Sequence, residues 1–285
     1  MKKIIDMHNI IENKRKIKNR RNWRMCSMKM CSIKLIRYSF TLFLAFLIGC
    51  SSSDKDNIKG KTADSLYTEG NQLLRRGEYS DAADTFNKVE SLFPYSSKAS
   101  VSQILAAYCH FLAANYLDAT RELDIFMRYH SSHSLMPYAM YLRAMCIYMQ
   151  VASVGRDARI AQDAKQAFIE LMNRFPNSIY YDDSARKIFV LDGILAAHEM
   201  NIGRFYQKKS NSLSAIGRYN FVITKFGHTN QAAEAYYRII ECCLDEGLNE
   251  EALAAYNALK IKFSNDKWKE KADTLMSTKQ LIKKK

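Results

Sequence analysis

With Ala82 and the large aromatic Phe86 four residues later as a marker, equivalent pairs recur at long intervals along the chain. The pairs are Ala82 with Phe86, Ala119 with Leu123, Ala164 with Phe168, Ala215 with Tyr219, and Ala252 with Tyr256. Residues i and i+4 share one face of a helix, so each pair marks an apolar stripe. Successive alanines lie 37, 45, 51 and 37 residues apart, and each stripe runs out in a similar phrase: Phe93-Pro94, Tyr129-His130, Phe175-Pro176, Phe226-Gly227 and Phe263-Ser264. A heptad coiled coil repeats every seven residues and does not produce this spacing. A single helical hairpin cannot bury its own apolar face, whereas stacked copies bury a continuous core. The pattern therefore predicts an all-α solenoid of about five helical hairpins. Only three prolines occur and no alternating apolar run argues for strands, which agrees.

The first unit, Ala63 to Ser96, shows how one hairpin is built. Gly70 and Leu73 sit in its first helix, Gly77 offers a left-handed stop, and Tyr79, Ala82 and Phe86 lie in the second helix, which Pro94 ends. Ser80 is the expected cap of that second helix, with Asp81 suited to its positive end. This unit resembles the tetratricopeptide repeat (TPR), a helical hairpin with small residues where its helices cross. Two hairpins depart from it. Val151 to Asp163 reads as an enlarged loop containing Gly155-Arg156-Asp157, and a long first helix is expected from about Asp182 to Tyr206. The last hairpin is expected from about Ala233 to Phe263, stopped by Gly247 and capped by Asn249.

A formal charge of +14 invites a nucleic-acid reading until it is located. The first 49 residues hold 12 Lys or Arg against Asp6 and Glu12, so +10 sits there and +4 remains for the rest. Nucleic-acid binding is not expected. The apolar run Tyr38 to Ile48 has the length of a signal h-region and is too short to span a bilayer. It ends in Leu47-Ile48-Gly49-Cys50, which resembles a bacterial lipoprotein box. Residues 1–49 are thus expected to be a basic leader and lipoprotein signal, with Met28 or Met30 as possible true starts. Cys50 is the expected lipidation site, followed by Ser51 rather than aspartate, which implies an outer-membrane destination. Residues 50–61 read as the lipidated cysteine and a polar tether. Beyond them lie hairpins one to three (62–180), hairpins four and five (181–276) and a basic tail (277–285).

No phosphate-binding glycine loop, H-E-x-x-H or G-x-S-x-G appears, so neither an enzyme nor a cofactor is indicated. Cys109, Cys146, Cys242 and Cys243 form no C-x-x-C pair; Cys109 and Cys146 occupy equivalent places and admit either a disulfide or, preferably, buried thiols. First helices usually line the inner face of such solenoids. Aligned by the 37-residue offset they present rows of Tyr67, Ile104 and Tyr141, of Asn71, Tyr108 and Met145, and of Leu74, Phe111 and Tyr148. Such a surface suits an extended peptide with aromatic side chains, and the same spacing also suits inter-helix core.

From the lipobox through hairpin five the chain resembles the BamD (ComL) family of outer-membrane lipoproteins. Three phrases sharpen the resemblance: Pro137-Tyr138-Ala139-Met140-Tyr141-Leu142-Arg143, the Gly155-Arg156-Asp157 loop, and His198 to Tyr206 leading into Ala215-Ile216-Gly217-Arg218. It implies a non-enzymatic scaffold, held to the membrane by its lipid, in the machine that assembles β-barrel proteins. The implied partners are the periplasmic domains of the central barrel assembly protein, accessory assembly lipoproteins, and the C-terminal segments of unfolded outer-membrane proteins. The resemblance places Arg218 at the implied docking contact and the N-terminal hairpins, with their first-helix rows, at the implied substrate contact. Arg156 and Asp157 are further docking candidates because an enlarged loop on a regular scaffold is often a contact element, and equally a tolerated insertion. The competing reading is another periplasmic TPR lipoprotein serving as a cell-envelope or division adaptor.

Overall fold

The computed structural model describes residues 60–154 and 158–279. Cys50 and the leader, the Gly155-Arg156-Asp157 loop and residues 280–285 lie outside the described residues. Within them the chain forms α1 (Ala63–Arg76) and α2 (Tyr79–Leu92), α3 (Ala99–Leu112) and α4 (Tyr116–Tyr129), α5 (Met136–Val154) and α6 (Ala158–Arg174). It continues through α7 (Tyr181–Lys208) and α8 (Ser212–Phe226), α9 (Gln231–Asp245) and α10 (Asn249–Lys262), and ends in α11 (Lys267–Thr278). These are five antiparallel hairpins and one further helix, an all-α TPR solenoid.

Local chemistry sets the helix ends. Thr62 opens α1 with a capping box, its hydroxyl accepting from the Ser65 N–H while the Ser65 side chain accepts from the Thr62 N–H. Four first helices then close in the same way. Gly77, Ala114, Ser210 and Gly247 all have positive φ, at 84°, 64°, 55° and 75°. The next residue's N–H reaches back to the carbonyl five residues earlier, as in Glu78 to Leu73, Asn115 to His110, Asn211 to Tyr206 and Leu248 to Cys243. Glycine adopts this geometry freely, whereas Ala114 and Ser210 adopt it against a steric penalty. Ser80 and Asn249 do not cap: α2 and α10 begin earlier, at Tyr79 and Asn249 themselves, behind Glu78 and Leu248, which make no side-chain cap bond.

The core is a ladder of the repeated pairs. Ala82, Phe86, Ala119, Leu123, Ala164, Phe168, Ala215, Tyr219 and Ala252 are completely buried, and Tyr256 nearly so. Facing glycines let the helices approach: a Cβ on Gly70 would meet the Phe86 ring at 2.8 Å, and one on Gly203 the Tyr219 ring at 2.4 Å. Consecutive first helices touch, α1 with α3, α3 with α5, α7 with α9 and α9 with α11. Between α5 and α7 that row thins, and α6 packs closely on α7. The extra length of hairpin three enters its helices and not its turn. α5 has 19 residues and α6 has 17, so most of Val151 to Asp163 is helical.

Candidate functional site

The predicted first-helix rows separate by burial. Ile104, Tyr108, Phe111, Tyr141 and Met145 are exposed by 7% or less and lie between helices. Burial pushes the Tyr108 hydroxyl up to about 12 and the Cys109 thiol beside it likewise up to about 12. Cys146, Cys242 and Cys243 are also buried free thiols. Tyr67, Asn71, Leu74 and Tyr148, by contrast, keep part of their surface in water. Tyr67 stands edge-on against Phe86 at 5.9 Å with the Lys98 ammonium 4.8 Å above its ring. Asn71 donates to the Tyr67 carbonyl at 2.7 Å. Tyr148 sits edge-on to Phe168 with Lys187 5.8 Å over its face. The surface left open in these rows is therefore two aromatic rings, each with a lysine over its face, together with Asn71 and Leu74; cation–π attraction holds each ammonium in place.

Tyr141 has a different task. Its ring stacks on Tyr180 at 4.8 Å and its hydroxyl donates to Asp183 at 2.7 Å, tying α5 to the start of α7. Burial alone would raise the Asp183 carboxyl. The Tyr141 hydroxyl and the Lys187 and Arg186 cations outweigh it and hold that carboxyl below its ordinary value.

The second region surrounds Arg218 on α8. Its guanidinium donates to Glu199 on α7 at 3.1 Å and remains half exposed. Tyr206, Ser214, Gly217, Arg218 and Phe221 line a depression of about 300 Å³. Phe205, Leu213 and Phe221 are exposed by 58%, 67% and 44% on these same two helices. Three large apolar side chains and one half-neutralised arginine are an unusual load for a helix pair in water. Exposed apolar area beside a charged group is the mixture that protein–protein contacts use. Arg156 and Asp157, the other two predicted docking residues, lie outside the described residues.

Two polar clusters had no sequence signal. Along the inner side of hairpins four and five, Arg204 bonds Glu234 at 2.7 Å and Arg238 bonds Glu241 at 2.8 Å, with Gln207 reaching Glu241 at 3.3 Å. Where hairpins three, four and five meet, Asp192 on α7 is 5% exposed. Lys165 on α6 approaches its Oδ1 to 2.5 Å at an angle that makes an ion pair but no hydrogen bond, and His228 approaches Oδ2 to 3.0 Å. Apart from Arg238 and Glu241, which are three residues apart, these partners are separated by tens of residues in the chain, so no local motif announces them. His130 and His133 lie 6.2 Å apart by ring centres; His133 accepts from the Leu135 N–H and meets the Ser100 hydroxyl at 3.3 Å, while the His130 ring stands 5.0 Å from Phe126. Among the described residues no group of three His, Cys, Asp or Glu side chains is placed to hold a metal, and no helix is long and apolar enough to cross a membrane.

Comparison with known proteins gives this architecture a family. Residues 59–259 match the YfiO model, described as an outer membrane lipoprotein. The outer membrane protein assembly factor BamD of Caulobacter vibrioides is 34% identical over 230 residues, covering 80% of this chain and 75% of that one. BamD of Rickettsia prowazekii is 34% identical over 238 residues, covering 83% and 95%. Among solved structures, the TPR2AB-domain:pHSP90 complex of yeast Sti1 aligns with a TM-score of 0.39 at 14% identity, over 77% of this chain and 86% of that one. On the strength of the model match and these two relatives, the chain belongs to the BamD family of outer-membrane protein assembly factors.

Proposed function

We propose that the protein is a non-enzymatic, lipid-anchored scaffold of the outer-membrane β-barrel assembly complex. In this reading it docks on the central barrel assembly protein through α7 and α8 and receives the C-terminal segments of unfolded barrel proteins along its N-terminal first helices. The observation that carries it is the Arg218 surface: a half-exposed guanidinium beside exposed Phe205, Leu213 and Phe221, on a helix pair whose inner sides pack into the solenoid. The half-exposed rings of Tyr67 and Tyr148, each with a lysine over its face, support the substrate role, because aromatic side chains and a terminal carboxylate match rings and ammonium groups. Anchoring at Cys50 rests on the sequence that precedes it.

The test is co-purification from gently solubilised envelopes. Arg218→Glu reverses an interface charge while leaving the buried Ala215 and Tyr219 untouched, so helicity stays constant and recovery of the central barrel protein falls by at least about tenfold. Unchanged recovery with unchanged helicity would remove the docking assignment. Intact mass of the same bait, with or without acyl chains on Cys50, decides the anchor.

A further inference from the structure

The end of the chain carries a charge distribution that the scaffold reading does not use. From Lys267 to Lys285 there are seven lysines against Glu270 and Asp273, a formal +5, while everything after residue 49 sums to +4. The stretch from Cys50 to Asp266 is therefore slightly acidic, and the excess positive charge belongs to α11 and the residues after it. α11 buries Ala272 and Met276, and leaves Lys267, Lys271, Thr274 and Thr278 on its outer side. No helix covers that side among the described residues.

Around Trp268 the positive charge is concentrated. The indole lies 5.3 Å from the Tyr237 ring, and three cations surround it: Lys271 at 4.3 Å, Lys267 at 5.5 Å and Arg238 at 5.7 Å. Arg238 is neutralised by Glu234 and Glu241. Lys267 and Lys271 form no ion pair among the described residues. Two unpaired ammonium groups held beside a half-buried indole form a surface that lacks its anions.

We propose that α11 docks on the anionic phospholipid headgroups of the membrane surface. Charge complementarity selects the occupant's sign, and geometry selects its form. The lysines stand in one row on the outer side of the last described helix, which matches an extended anionic plane; among the described residues no second wall faces them to grip an inserted peptide. Tryptophan flanked by lysines is also the side-chain mixture that settles at a bilayer's headgroup level. A basic patch strengthens the hold of a lipid chain and fixes the orientation of the protein relative to the membrane. The surface is separate from the Arg218 depression, and Arg218→Glu leaves it intact.

The test uses the full chain carrying Trp23→Phe, which makes Trp268 the only indole. Vesicles of phosphatidylglycerol with phosphatidylcholine, bearing a headgroup spin label, quench Trp268 if α11 meets the surface; vesicles of phosphatidylcholine alone do not. Lys267→Gln with Lys271→Gln raises the lipid concentration for half-maximal quenching by at least about tenfold, since each lysine near an anionic surface contributes a factor of about five. Both substitutions are exposed, and the helix signal stays constant. Vesicle binding without Trp268 quenching would assign membrane contact to the basic leader and overturn the proposal. A Trp268 response to polyglutamate and none to the vesicles would overturn it too, assigning the patch to an acidic protein partner.

Discussion

Gly203 and Gly193 lie ten residues apart in α7, and replacing each by alanine should move stability in opposite directions. A Cβ on Gly203 would stand 2.4 Å from one Tyr219 ring carbon and 2.9 Å from two others. That ring has no room to retreat, because it is completely buried and its hydroxyl is held by Gln207 at 2.9 Å. Forcing one extra carbon into such a contact costs about 1–3 kcal/mol, and the fixed ring puts this case at the upper end. Alanine returns about 1 kcal/mol through its better helix propensity, which leaves a net loss of roughly 2 kcal/mol. A Cβ on Gly193 meets nothing within 4 Å, so Gly193→Ala keeps the whole propensity gain of about 1 kcal/mol. Urea unfolding monitored by the helix signal measures both. At about 2–4 °C per kcal/mol for a unit of this size, the melting temperature falls by roughly 4–8 °C for Gly203→Ala and rises by roughly 2–4 °C for Gly193→Ala. If both variants shifted the same way, the close approach of α7 and α8 would not be what selects glycine at Gly203.

Asp192→Asn keeps the side-chain shape and removes the charge that Lys165 faces. A fully buried broken pair costs roughly 3–5 kcal/mol, but Lys165 keeps 21% of its side chain in water, so a loss of about 2 kcal/mol is expected in the same urea experiment. Adding Lys165→Met should recover most of it, and a single-variant loss below about 0.5 kcal/mol would show that the pair contributes nothing. The substrate row is tested with a peptide ending in an aromatic residue: Tyr67→Ser with Tyr148→Ser should weaken its binding at least about fivefold with little change in melting, whereas Tyr108→Ala should cost about 3 kcal/mol of stability, Tyr108 being only 3% exposed. Full affinity in the double serine variant would refuse the row its role.

The hairpins are legible in the sequence because the feature that builds them is periodic. An alanine and a large apolar or aromatic residue four positions apart must share a face, and five such pairs at hairpin spacing leave little freedom of fold. Helix stops are legible only where glycine supplies them. Gly77 and Gly247 announce a left-handed turn, while Ala114 and Ser210 make the same turn without an informative residue. Hairpin three reads as a longer loop because composition does not say whether inserted residues extend a turn or the helices beside it. α11 goes unread as a helix, although Asp266 caps it, accepting from the Trp268 N–H, and Trp268, Ala272 and Met276 stand at four-residue spacing; the expected last hairpin ends at about Phe263, and the residues up to 276 are grouped with hairpins four and five without an element of their own. In the first-helix rows the aromatic stripe is legible, but its division into ligand surface and core is not. Burial at Tyr108 and exposure at Tyr148 depend on the neighbouring hairpin, which the stripe itself does not encode.

The junction between hairpins three and four shows why such division matters. Other consecutive first helices approach closely, whereas α5 and α7 do so less. Directional contacts span this junction: the Tyr141 hydroxyl on Asp183, the Tyr141 ring on Tyr180 and Lys187 over Tyr148 join α5 to the start of α7, and Lys165 on α6 meets Asp192 on α7. Apolar contacts tolerate sliding, whereas a hydroxyl–carboxylate bond of 2.7 Å and an ion pair in a mostly dry setting fix one angle. On the scaffold reading proposed above, a chain received on hairpins one to three and a dock on hairpin four call for a constant relation between those two surfaces. Polar contacts at this junction add direction to the α6–α7 packing, as Arg204 on Glu234 does between hairpins four and five, so the proposed site depends on residues no repeat consensus requires.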